Sequence, residues 1–221
     1  HKEYRRQRQM CIRDRANLNG IKLNEANLTG AVLNHTKLWN AHLEDADISY
    51  VFAPGADFKG AVIPGLYCTQ ANLSGAYLAG LDFSGLDLSG TILSGANLTS
   101  AKFVYALVDG SNFRGAVLTN ADFTFAKARK SNFKNVNARH VNFTKAYLSE
   151  SRFDNALMSD SNLNSADLTA TVFYSANLHS ADIRDSYPVY LDSTGEVFDT
   201  PAPNRQRRSH LSYTSFWKAN L

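Results

Sequence analysis

The sequence has very little of what small-molecule chemistry is usually built on. Only two cysteines occur in 221 residues, Cys11 and Cys68, too few for a metal cluster or a disulfide framework. The six histidines, His1, His35, His42, His140, His179 and His210, show no paired ligand spacing, so no metal is expected. No nucleophile elbow, phosphate loop or dinucleotide fingerprint is present, and no cofactor is expected. No stretch is apolar enough to span a bilayer. Periodicity of the ordinary kinds is missing too: neither the 3.6-residue period of an amphipathic helix nor the alternation of a half-buried strand fits the apolar residues.

What is there is a period of five. Of the 34 positions at every fifth residue from Leu18 to Ile183, 16 are Leu, nine Phe, three Ile, and one each Met, Val and Cys; only Ala53, Ala128 and Ala138 are smaller. Two residues before each centre stands Ala in 20 of the 34 units, and otherwise Ser, Thr, Val, Ile or Leu. Units such as Ala16-Asn17-Leu18-Asn19-Gly20 and Ala71-Asn72-Leu73-Ser74-Gly75 therefore point their first and third residues inward. The fifth position holds 12 of the 13 glycines, as a sharp corner with φ near or above zero would select. Four such sides close a square coil of about 20 residues, and coils stack at the strand spacing of roughly 4.8 Å. Folding the numbering at 20 places Phe83, Phe103, Phe123 and Phe143 in one core column and Phe113, Phe133, Phe153 and Phe173 in the opposite one. The column through Cys68, Val108 and Ala128 is small. An axis filled in this way leaves no cavity for a substrate, and the chain reads as a solenoid that is not an enzyme.

These tandem A(D/N)LXX units resemble the pentapeptide repeat family over about three quarters of the chain. The resemblance implies an all-β fold, a right-handed quadrilateral parallel β-helix of about eight coils. The family includes proteins that bind DNA gyrase by imitating the DNA duplex, and that reading is the alternative to a non-catalytic scaffold or interaction surface. It calls for a strongly acidic exterior. Of the net charge of +3, the repeat over 16–185 has 13 basic and 15 acidic residues, a net of −2. Recurring second-position carboxylates (Asp47, Asp57, Asp82, Asp87, Asp122, Asp167, Asp182) read as structural, since a general acid needs a pocket to shift its pKa.

One outward feature departs from the background. Lys127, Arg129, Lys130, Lys134, Arg139, Lys145 and Arg152 form a basic band with Glu150 as the one acid between Lys127 and Arg152, a candidate contact for a polyanion or partner. Outward Trp39, Tyr50, Tyr105, Phe125 and Tyr174 are alternative anchors for a protein partner. A protein partner is expected, nucleic acid is the weaker expectation, and homo-oligomerisation is open. The compartment is unassigned, with the cytoplasm favoured.

The repeat is bounded on both sides. Residues 1–15 are basic and non-repetitive, and Met10-Cys11-Ile12-Arg13-Asp14-Arg15 resembles translated sequencing-adapter DNA, so this segment is expected to be an artefact of a metagenomic gene fragment rather than a nucleic-acid-binding arm. Residues 16–185 form the β-helix. Residues 186–208, with Tyr187-Pro188, Gly195 and Pro201-Ala202-Pro203, read as a loop insertion. Residues 209–221 resume the pattern in a new register, which predicts that Leu211, Phe216 and Leu221 turn inward. Both ends are expected to be cut.

Overall fold

A computed structural model describes residues 15–186, 190–191, 197–198, 216 and 218–220. Each five-residue unit contributes one short extended piece, and parallel bridges join second positions 20 residues apart, from Asn17 with Lys37 to Asn162 with Asp182. Four units therefore complete one turn of a parallel β-helix. Numbered in chain order from Ala16, the first side runs through Leu18, Leu38, Phe58 and Leu78, and the second through Leu23, Ile63, Phe83 and Phe123. The third runs through Leu28, Cys68, Val108 and Ala128, and the fourth through Leu33, Leu73, Phe113 and Phe173. Coils are numbered likewise: coil 1 is 16–35, coil 3 is 56–75, coil 4 is 76–95 and coil 8 is 156–175.

The corners follow from backbone geometry. Every fifth position from Arg15 to Asp185 has positive φ, the non-glycine ones included, such as His35 at 51° and Tyr105 at 59°. Glycine is thus preferred at these corners but not required. Where the second residue is Asp or Asn, its Oδ1 accepts the fourth residue's N–H, as in Asp57 to Lys59 (3.0 Å) and Asn97 to Thr99 (3.1 Å). This side-chain turn is the physical reason for the recurring Asp/Asn. All seven Asp residues singled out above make it.

Inside, the Phe columns form as expected. Centroids lie 5.1, 4.4 and 4.9 Å apart along Phe83–Phe103–Phe123–Phe143, and 4.8, 4.7 and 5.0 Å along Phe113–Phe133–Phe153–Phe173. The two columns meet edge to face across the axis, as Phe123 does with Phe133 at 6.0 Å, a geometry suited to aromatic quadrupoles. A hydroxyl column was not anticipated: first-position hydroxyls of Thr91, Ser111, Ser131, Ser151 and Thr171 on the fourth side donate to the carbonyls of Cys68, Leu88, Val108, Ala128 and Leu148. Buried hydroxyls are tolerated there because each finds an acceptor.

Among the described residues the ladder has one interruption between coils. Elsewhere each centre and each corner N–H from Arg15 to Ser165 donates to the next coil, and each second-position N–H from Lys37 to Asp182 to the previous one. Between Gly60–Cys68 of coil 3 and Ala79–Asp87 of coil 4, six successive bonds of this kind are absent among the described residues, as are the Val62–Asp82 and Tyr67–Asp87 bridges.

At the far end, Phe216 stacks on Phe173 (centroids 4.9 Å apart, planes at 3°), and Asn220 bridges Asn177. Phe216 thus turns inward as its register predicts, whereas Leu211 and Leu221 lie outside the described residues. Within the expected loop insertion, β1 (Tyr190–Leu191) and β2 (Val197–Phe198) pair antiparallel, Tyr190 opposite Phe198. Residues 1–14, with the expectation attached to them, also lie outside the described residues.

Candidate interaction surface

Outside the break between coils 3 and 4 the interior is closed by side chains, so what the molecule recognises there meets its outward second, fourth and fifth positions. The basic band is distributed around the prism rather than gathered on one face. Lys127, Arg129 and Lys130 stand on the third side, Lys134 and Arg152 on the fourth, Arg139 on the first, and Lys145 at the corner between the second and third. Much of its charge is matched within the molecule. Arg129 is held by Asp109 (Nη2 to Oδ2 2.7 Å, Nε to Oδ2 3.2 Å) and Arg152 by Asp154 (2.8 Å and 3.0 Å). Lys134 lies 3.9 Å from Asp154 and Lys130 3.7 Å from Glu150. The Asp109 carboxylate, by hydrogen bond and charge, holds the Arg129 guanidinium above its ordinary pKa. Lys145 sits 5.3 Å from the Phe125 ring centroid, a cation–π contact. Among the described residues Lys127 and Arg139 have no acidic partner.

The outward aromatics do not form a single patch. Tyr105 and Phe125 stack at 4.9 Å along the corner below Lys145. Trp39 is flanked by Lys37 (5.4 Å) and Lys59 (6.0 Å), and Lys218 lies over Tyr174 (5.7 Å). Tyr50 and Tyr105 are exposed, whereas Phe125 and Tyr174 are half-buried. Second positions add exposed Phe52, Tyr67, Tyr77 and Tyr147, which the sequence reading passed over because it weighed only fourth and fifth positions.

Folding also reveals a sidedness that the net charge conceals. The second and third sides, which adjoin, carry 12 of the 15 acids of the repeat against seven bases; the fourth and first sides carry six bases against three acids. The carboxylates of Asp82 and Asp182 titrate below their ordinary values, through the hydrogen bonds of Ser84 and of Arg184 respectively. Asp47 does so too: burial pushes it up, but the Ser49 and Thr29 hydrogen bonds outweigh that. Each of these shifts belongs to a local turn or ion pair. Burial, with a smaller contribution from the Asp87 and Asp47 charges, raises the Cys68 thiol to about 12, which keeps it protonated in the core. Among the described residues no three His, Cys, Asp or Glu side chains are placed to hold a metal ion, and no helix is long and apolar enough to cross a membrane.

With this geometry in hand, the family profile described as pentapeptide repeat region matches residues 108–183, and that described as pentapeptide repeats (8 copies) matches 14–49, 26–65, 56–95 and 67–104. The chain belongs to the pentapeptide repeat family, and its fold is the right-handed quadrilateral β-helix of that family. Among solved structures it is similar to HetL, a pentapeptide repeat protein involved in heterocyst differentiation regulation from the cyanobacterium Nostoc, at 26% identity and a TM-score of 0.54, covering 80% of this chain and 88% of that one. It also matches a thylakoid-lumen pentapeptide repeat protein of Arabidopsis thaliana (35% identity, TM-score 0.43, covering 43% of this chain and 67% of that one). A third match is QnrB1, a plasmid-mediated fluoroquinolone resistance protein (19% identity, TM-score 0.31, covering 83% and 89%). No match was found among curated proteins.

Proposed function

We propose that the protein is a non-catalytic scaffold whose outer sides dock another macromolecule, with a protein the expected partner. The observation that carries this reading is the filled axis: Phe, Leu and Ala columns occupy it from Leu28 to Leu178 with almost no solvent exposure, so the surface is what remains to act. Catalysis is disfavoured because the shifted carboxylates serve turns and ion pairs rather than a shared pocket. The test is photo-crosslinking in cells of the source organism, with a benzophenone amino acid placed in turn at Tyr67, Tyr77, Ile92 and Tyr147, which lie on the third, first, fourth and third sides. Adducts with one partner from one or two adjoining sides support the scaffold; no adduct from any side contradicts it.

Any polyanion contact is assigned to the basic band, where Lys127 and Arg139 are not matched by acids. Binding of duplex DNA to a chain lacking residues 1–15 should weaken steeply with salt and vanish on replacing Arg129, Lys134 and Arg139 with Ser. A second reading, a DNA mimic directed at gyrase, is favoured by the 12 acids gathered on two adjoining sides, although the same sides also carry seven bases. Inhibition of gyrase supercoiling by the purified protein would favour it over the scaffold.

A further inference from the structure

The break between coils 3 and 4 has a cause in the sequence. First positions hold Ala, Ser or Thr in all but seven units, and Leu66, Leu81 and Leu86 are the three largest clustered exceptions, with Leu86 directly above Leu66 and Leu81 above Ala61. Leucine on leucine in a column sized for alanine overpacks it. The coils part there: Leu66 and Leu81 stay buried, but Leu86 is left half-buried where neighbouring first positions are closed.

Parting the coils leaves paired groups facing each other without partners. The N–H groups of Gly60, Ile63, Gly65, Cys68, Asp82 and Asp87 lose their inter-coil acceptors, and the carbonyls opposite them lose donors. The Cys68 thiol makes a partial substitute, donating to the Asp87 carbonyl at 3.6 Å. Unpaired backbone groups withdrawn from a ladder are costly unless something pairs them. The seam is pinned at one end by Phe58 and Tyr77 and at the other by Gln70 and Ser89, which keep their bonds. Between those pins a cavity of about 570 Å³ opens on the second side, lined by both lips, within the range of ligand sites. Glycine corners at Gly60, Gly65 and Gly80 line its rims, with the Asn40 and Asp45 side chains of the coil below against the first two.

We propose that this seam is a docking slot for an extended, basic peptide segment. The proposal rests on the scaffold reading and names the partner chemistry for one site on it. Donors and acceptors alternating along two parallel lips are what an extended main chain satisfies, as in strand addition to a sheet edge. The apolar lining from Val62, Leu81 and Leu86 receives one set of alternating side chains. The other set faces Asp82, the charged residue of the cavity lining, which Lys102 approaches to 3.9 Å, with Asp87 and the exposed ring of Tyr67 around the next corner on the acidic pair of sides. Lysine or arginine at those positions gains charge pairing and a cation–π contact.

The experiment uses the full chain and three fluorescent octapeptides: alternating Lys and Val, the same sequence N-methylated at alternate peptide bonds, and alternating Glu and Val. The Lys/Val peptide should bind saturably, with at least a tenfold loss for each of the other two. The double variant Leu81→Ala and Leu86→Ala, which restores the usual small residue and lets the coils close, should bind it at least tenfold more weakly without a fall in Tm. Equal affinity for the methylated and unmethylated peptides would show charge attraction alone and overturn the slot whatever the variant does. Undiminished binding to a folded double variant, or no binding up to 1 mM, would overturn it as well. None of these failures touches the crosslinking test, so the scaffold reading stands or falls separately.

Discussion

At the scale of single residues, the side chains that look most reactive are structural. Cys68 is fully buried in the small column of the third side and its thiol is raised to about 12, so the thiolate that would attack a reagent is not formed at neutral pH. In a Cys11→Ser variant, native protein should therefore remain unlabelled by a thiol reagent over hours and label at once in denaturant; rapid native labelling would mean an open core. The second-position carboxylates carry a pH dependence of known sign. Asp47, Asp82 and Asp182 titrate lower when folded than in the free chain, so their contribution is present above the unfolded value of about 4 and is lost as pH falls through the folded values. Tm should be flat from pH 7 to 5 and fall below pH 4. A Tm that rises on acidification would contradict the turn assignment.

At the scale of the element, a unit of five residues, Phe123→Asp should abolish folding, because it places an unpaired charge between Phe103, Phe133 and Phe143. Arg114→Asp, at an exposed outward fourth position, should change stability by under about 0.5 kcal/mol. Circular dichroism during a thermal melt reads both, and equal effects would contradict the two-inward, three-outward assignment. The unit was legible from sequence because inward and outward positions differ in size and polarity at fixed spacing. Phe216 was legible for the same reason, across 43 residues from Phe173. The hydroxyl column and the seam were not read, although both are written at the first position: Thr91, Ser111, Ser131, Ser151 and Thr171 recur at 20-residue intervals, and Leu66, Leu81 and Leu86 cluster in adjoining units. A composition taken over all first positions averages those columns away; only stacking them side by side separates them. The β1–β2 pair was missed because Gly and Pro dominate the reading of a segment in which the paired residues are only two on each strand.

At the scale of the whole molecule, the prism is divided in two ways. Around the axis, an acidic pair of sides adjoins a more basic pair, a division invisible in a net charge of −2 for the repeat. Along the axis, the seam partly separates the first three coils from the five that follow. The basic band was legible as composition but not as geometry, since which acids match Arg129, Lys130, Lys134 and Arg152 depends on neighbours one coil or two residues away. Both divisions rest on one claim, that residues 15–186 form one ladder with one break between coils. Residue-resolved amide hydrogen exchange tests that claim most directly. The account predicts slow exchange for the amides of core centres such as Leu43, Leu98, Phe123 and Phe143, and exchange faster by orders of magnitude at Ile63 and Cys68, with Gly60, Gly65, Asp82 and Asp87 following them. Protection at Ile63 and Cys68 equal to that of the centres in neighbouring coils would contradict it.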